Sequence, residues 1–205
     1  MKKILLLLLL VLPAAAGAQK ESSDLSKYLA GAVPVTPEGY VYFERTYDVP
    51  GKSKAELFSL LREYTQTAIV EGEDHLPQAR ITEADSATGI IAASIEEYLY
   101  FKRKAWTMDR VRFYYQLIYR IEDGKFNIEM RRLHYLYDDV PQAQDYRAEN
   151  WITDKEALNS AQTKLTRIGG KFRRHTIDRK DEIFRGAARA VGVVGKVKKV
   201  IEVEE

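Results

Sequence analysis

Three histidines, His75, His134 and His175, are the natural candidates for proton transfer or metal ligation in this chain. They fall in a loop, a strand and a helix, and none has a second histidine at the spacing a metal site needs. Two adjacent carboxylate pairs, Glu96-Glu97 and Asp138-Asp139, are the next candidates for acid–base chemistry. Neighbours on a strand point to opposite faces, so Glu96 and Glu97 cannot flank one bond. Asp138-Asp139 closes a strand and reads as the start of a turn. The chain has no cysteine, which removes disulfides, thiolate metal sites and cysteine nucleophiles. It has no G-x-S-x-G elbow, P-loop or dinucleotide fingerprint. The expectation is no catalytic residue, no metal and no cofactor.

The chemistry that remains is that of recognition. Tyrosine is 13 of the 205 residues. Tyr42, Tyr98, Tyr100 and Tyr114 fall on strand positions opposite the apolar side, together with Arg112, Arg120, Glu44, Glu96, Glu129 and His134. Tyrosine offers a large contact area at a low entropic cost, and its hydroxyl tolerates water. Tyr98, Tyr100, Arg112, Tyr114, Arg120 and His134 are therefore the expected contacts for a peptide, a glycan or a partner domain. Cross-strand pairing of Tyr with Arg and of Glu with Arg explains the same composition, at ~0.2–1 kcal/mol per pair. Two basic clusters also stand out, Lys102-Arg103-Lys104 and Lys171-Phe172-Arg173-Arg174-His175 with Arg179-Lys180. Interleaved with Asp178, Asp181 and Glu182, the second reads as a solvated helix face, with contact to anionic lipid as the alternative.

The elements that must position these residues follow from periodicity. Tyr40–Val49 alternates as a strand and ends at Pro50-Gly51. Ser53-Lys54-Ala55-Glu56 is a capping box, and Leu57, Leu60, Leu61, Tyr64 and Ala68 continue at helical spacing to about Val70. Strands are predicted over Ala79–Asp85, Gly89–Phe101 and Arg110–Glu122, and a further one follows the hairpin turn Asp123-Gly124, whose two residues both tolerate positive φ. In that last strand Phe126, Ile128 and Met130 are in one phase and Leu133, Tyr135 and Tyr137 in the other, so a β-bulge is predicted at Arg131-Arg132. Asp138 to Asn150 reads as a polar loop. Thr153-Asp154-Lys155-Glu156 reads as a second capping box, followed by a helical stripe of Leu158, Ala161, Leu165, Ile168 and Phe172 that Gly169-Gly170 would kink. A further apolar set, Ile183, Phe184, Ala187, Ala188 and Val191, extends the helical region as one kinked helix or two.

At the N-terminus Lys2-Lys3, an apolar run from Ile4 to Leu12 and Ala16-Gly17-Ala18 form a secretory signal pattern. Spanning a bilayer takes ~20 apolar residues, more than this run supplies. The expected organisation is a signal peptide over 1–18 cleaved near Ala18, a flexible linker over 19–38, one domain over 39–192 and a charged tail over 193–205. Lys2 and Lys3 account for the whole excess of 32 basic over 30 acidic residues, so the mature chain is formally neutral. The expected location is periplasmic or secreted.

Val41-x-Phe43, Val49-Pro50-Gly51-Lys52-Ser53-Lys54, Glu56-Leu57-Phe58, Lys171-Phe172-Arg173-Arg174 and Ile177-Asp178 carry a resemblance. The chain resembles, over roughly residues 35–190, a family of exported proteins from Bacteroides-type bacteria described as a domain of unknown function with a TATA-binding-protein-like (TBP-like) fold. Tyr64 stands where that pattern has tryptophan. The resemblance implies a curved sheet with two helices behind it, and no activity. Residue pattern and resemblance agree on α+β architecture: two layers, an antiparallel sheet in the order β-α-β-β-β-β-α, helices on one face. TBP binds DNA through its concave sheet, but an exported chain of zero net charge gives no reason to expect nucleic acid here. The function expected is a non-catalytic binding domain of the cell envelope using the open face of the sheet. A hydrolase of an envelope polymer, with an acid–base pair from His134, Glu96, Glu129 or Asp138, is the alternative. A protein docking weakly on anionic lipid through the 171–180 helix is the second alternative.

Overall fold

The computed structural model describes residues 25–104, 106–137 and 144–193. The signal peptide expected at 1–18, Asp138-Asp139 and the tail beyond Val193 lie outside the described residues. After a short 3-10 turn at Leu25–Tyr28 come β1 (Tyr42–Asp48), α1 (Lys54–Tyr64), β2 (Arg80–Asp85), β3 (Ile90–Lys104), β4 (Thr107–Glu122), β5 (Lys125–Tyr137), β6 (Gln144–Arg147), α2 (Asp154–Ala157) and α3 (Gly169–Ala190). The helix signal before α1 is realised in full. Ser53 Oγ accepts from Glu56 N, and the Glu56 carboxylate accepts from Ser53 N. The chain then continues as a π-helical turn over Thr65–Val70, where the hydroxyls of Thr65 and Thr67 donate back to the carbonyls of Leu61 and Glu63.

All strand pairings are antiparallel, in the order β1-β5-β4-β3-β2. β6 pairs with the second half of β5, continuing along the edge whose first half β1 occupies. The predicted bulge is present. Tyr114 faces His134 while Gln116 faces Arg131, so β5 carries one extra residue. Arg132 sits there with φ at 54°, and both apolar phases of β5 therefore reach the same face. Phe126, Ile128, Met130, Leu133 and Tyr135 are all buried. They meet Phe113, Leu117 and Tyr119 of β4, Leu57 and Leu61 of α1, and Phe172, Ile177, Phe184 and Ala187 of α3 in one core.

Six expectations are corrected. The linker expected over 19–38 is, from Leu25 on, packed onto the domain: Tyr28 and Val33 are buried in the core. What anchors it is invisible locally, because the clamp is Arg173, some 145 residues away. Its guanidinium is wholly buried and donates to the carbonyls of Tyr28, Leu29 and Ile152 and to the Asp154 carboxylate, at 2.6–2.7 Å. Within the polar loop expected at 138–150, residues 144–147 form β6, a strand too short to show periodicity.

The second capping box does not form. The Thr153 hydroxyl donates to Glu149 O instead, and α2 is a single turn. The apolar stripe after it is not helical. The Asn159 side-chain oxygen accepts from the backbone amides of Thr163 and Lys164, and the Asn159 backbone N–H donates to Lys164 O. That local bonding competes with helix and wins. Gly169-Gly170 consequently opens α3 rather than kinking it. A Cβ on Gly169 would lie 2.7 Å from Trp151 O, and one on Gly170 2.6 Å from Leu165 Cβ, so these glycines admit a close backbone approach. At the β4–β5 hairpin only Gly124 takes positive φ, at 73°. Asp123 instead accepts from Lys54 N and ties the turn to α1.

Candidate functional site

The face of the sheet away from the helices carries the residues singled out for recognition. Cross-strand neighbours share a face, and the register places Tyr98 opposite Arg112, Tyr114 opposite His134 and Arg120 opposite Asn127 on it. The structure divides the six candidates. Tyr114 and His134 stack, with ring centroids 4.4 Å apart and planes within 5°. Arg112 meets the buried Glu96 at 3.4 Å. The Arg110 guanidinium lies 3.8 Å from the Tyr98 ring centre, and that of Arg103 lies 4.6 Å from Tyr100. Tyr98, Tyr100, Arg112 and Tyr114 are thus engaged in ladders along one end of the face.

Arg120, and His134 on its side away from Tyr114, line a groove of about 1200 Å³ built around the β5 bulge. Its floor is Tyr42 and Glu44 of β1, Arg120 of β4, and Glu129, Arg131, Arg132 and His134 of β5. Its rim is the tight turn from Thr36 to Val41 on one side and Asp145, Arg147 and Glu149 on the other. The rim is closed by one bond, Val41 N donating to the Glu149 carboxylate at 3.0 Å. A second cavity of about 370 Å³ shares Arg120, Arg131 and Arg132, and extends over Gln116, Ile118, Ala92 and Glu83 towards β2. The two together cross the strands from one sheet edge to the other.

The bulge makes this geometry. An extra residue bends the strand and re-aims side chains, and a non-glycine residue at positive φ is uncommon. Arg131 and Arg132 are thereby set next to each other in the same groove. The Glu129 carboxylate is held by Arg120 at 3.0 Å and by Arg131 at 3.6 Å. Arg132 and Arg147 are exposed and have no ion pair among the described residues. With Glu38, Glu44, Asp145 and Glu149 also lining it, the groove presents both signs of charge around the apolar surfaces of Tyr40, Tyr42 and Leu133. Sequence reasoning missed the rim residues Thr36, Glu38, Asp145, Arg147 and Glu149, because they come from segments read as linker and loop. The one available signal was the phase slip at Arg131-Arg132.

The candidate acid–base residues are only partly brought together. Glu129 and His134 line the same groove without a hydrogen bond between them. Glu96 lies outside it and is taken up by Arg112. No group of three or more His, Asp or Glu side chains among the described residues could hold a metal ion.

The second basic cluster is not a solvated face. Arg173 is buried in its clamp, Arg179 is bound to the buried Glu97, and Lys171 donates to Asp109 at 3.0 Å and sits over the Phe101 ring. These three cations are engaged inside the domain, while Arg174 of the same cluster is exposed.

Three comparisons bear on this geometry. The family model for a domain of unknown function with TBP-like fold, DUF4468, matches residues 43–136. The crystal structure of a DUF4468 family protein from Bacteroides ovatus is similar to this chain with a TM-score of 0.74 and 35% identity, covering 82% of this chain and 95% of that one. The structure of a TBP-like protein from Parabacteroides distasonis has a TM-score of 0.64 at 18% identity, over 80% of this chain and 99% of that one, and shares the fold. No curated protein matches the chain.

Proposed function

The chain belongs to the DUF4468 family of TBP-like domains of unknown function, and from that premise we propose that it is a non-catalytic binding module of the cell envelope. Its ligand is an extended peptide or glycan lying in the groove across the open face of the sheet. The observation that carries this reading is the groove of about 1200 Å³ over the bulged arginines, beside a second cavity of about 370 Å³ that shares Arg120, Arg131 and Arg132 with it and lies towards β2. A long, two-signed trough with aromatic walls suits a polymer that offers repeated polar groups. In this reading residues 1–18 direct export, and the mature protein begins at Gln19.

The test is to fill the trough without changing its charge. Gln116 lies opposite Arg131 in the second cavity, next to the arginines that the two cavities share. Immobilised protein is incubated with soluble peptidoglycan fragments, envelope polysaccharide and envelope peptides. A component retained by the natural sequence should be lost with Gln116→Trp and kept with Tyr98→Ala, which alters only the far end of the face. Equal retention by all three, or retention of none, overturns the proposal.

A hydrolase remains the alternative because Glu129 and His134 share the groove. Turnover of any retained polymer that stops in both Glu129→Gln and His134→Ala would replace binding by catalysis. The pairing of Glu129 with two arginines argues against it, since a proton-transferring carboxylate works best where it is free to take up a proton.

A further inference from the structure

The end of the β3–β4 pair carries the most exposed large apolar residue among those described. Trp106 is 98% exposed and Met108 60% exposed, whereas every other aromatic on these two strands is buried or half-buried. The pair continues past the rest of the sheet to its last register partners, Lys104 and Thr107. Its base is braced. Arg103 donates to Glu73 at 2.9 Å and to Asp74 at 3.1 Å, and lies over the Tyr100 ring. Lys102 and Lys104, on either side of that arginine, are exposed and have no carboxylate partner among the described residues. Asp109, which faces Lys102 in the register, is taken up by Lys171.

We propose that this tip is a membrane-interface anchor, with Trp106 and Met108 entering the headgroup region of an anionic bilayer while Lys102 and Lys104 bind its phosphates. Tryptophan prefers the boundary between water and hydrocarbon, where its ring is shielded and its N–H stays wet. Basic side chains beside it are attracted by the surface potential of anionic lipid. The chemistry of the tip selects a bilayer over other occupants. A protein partner needs roughly 800 Å² from each side, far more than two apolar side chains on a narrow projection supply. A sugar stacked on Trp106 would be held by flanking amides or carboxylates, and the carboxylates at the base of the tip, Glu73, Asp74 and Asp109, are already paired with Arg103 and Lys171. A bilayer accepts a point contact and requires no matching shape. The site is distinct from the groove, and this anchor stands whether or not the groove binds a polymer.

The chain has two tryptophans, so Trp151→Phe leaves Trp106 as the sole indole reporter. Full-length protein is mixed with vesicles of phosphatidylcholine alone, or of phosphatidylcholine with phosphatidylglycerol, and assayed by emission spectrum and by flotation. The emission of Trp106 should shift to the blue with the anionic vesicles only, and added salt should reverse the shift. In the natural background, Trp106→Ala should weaken flotation, and Lys102→Gln with Lys104→Gln should weaken it about 30-fold. Because these positions are exposed, the variants keep the fold, and comparison with the unmodified chain cancels any contribution of residues 1–18. An unshifted spectrum overturns the anchor, as does equal flotation of natural and variant chains. A shift produced by envelope proteins and not by vesicles would equally overturn it, in favour of a protein partner.

Discussion

Arg179 meets Glu97 through two parallel hydrogen bonds, Nε to Oε1 and Nη2 to Oε2, both 2.8 Å long. The pair joins α3 to the core face of β3, and Glu97 is 2% exposed. Its next neighbour in sequence, Glu96, turns to the other face of the sheet and meets Arg112. Two adjacent carboxylates thus serve opposite layers of the fold. Breaking a buried pair from one side leaves a charge without a partner, at about 3–5 kcal/mol. Arg179→Met should therefore cost about that much in a urea titration. Glu97→Leu combined with Arg179→Met should cost less than the single change, a coupling that a double-mutant cycle reads directly.

Arg173 should behave as the clasp of the N-terminal segment. Arg173→Met removes the donor to Tyr28 O and one of two donors to Leu29 O, which also accepts from Ala32 N; leaving the Tyr28 carbonyl unmatched costs about 1–3 kcal/mol. Amide exchange around Tyr28 and Val33 should accelerate more than exchange in the β3–β4 core. Uniform acceleration across the domain would instead mean that the segment and the sheet unfold as one unit.

Gly186 of α3 sits against the Tyr64 side chain of α1. A Cβ there would run into the Tyr64 ring, at 2.6 Å from Cζ, and the Tyr64 hydroxyl donates to Ile183 O. Gly186→Ala gains helix propensity, about 1 kcal/mol, yet overpacking typically costs 1–3 kcal/mol. The expected result is a net loss of stability in thermal or urea unfolding. Tyr64→Leu in the same chain should recover much of that loss by vacating the space.

His175 gives stability a pH dependence of known sign. Burial against Phe101 lowers its pKa below the usual 6.5, an effect that Arg174 and Lys171 reinforce and Asp178 and Asp109 oppose. The unfolded chain then binds more protons than the folded one between the depressed value and 6.5. The stability from neutral His175 is present in full above pH 6.5 and is lost as pH falls through the folded-state pKa. The urea midpoint of the natural chain should drop over that window, and His175→Gln should flatten the drop. Equal slopes in the two chains would assign the pH dependence to carboxylates.

Much of the fold was legible along the chain, because period two and period 3.6 are local properties. The alternation of Val111 to Ile121 set the faces of β4, Ser53 and Glu56 set the start of α1, and the phase slip at Arg131-Arg132 set the bulge that shapes the groove. Local pattern failed where long-range contacts took over. Residues 25–33 looked like a linker until Arg173 clamped them, and 158–168 looked helical until Asn159 bonded its own loop. Gly169-Gly170 looked like a kink until the Trp151 carbonyl and Leu165 were seen packed against it. The face on which the tyrosines of β3 and β4 sit was likewise readable from the sequence, whereas Tyr28 and Tyr146 lay in stretches read as linker and loop. Which of those side chains are consumed by neighbours, and which stand over a groove, was settled only in three dimensions. Periodicity fixes direction along one strand, whereas partners such as Glu96 for Arg112 or His134 for Tyr114 come from strands that register brings together.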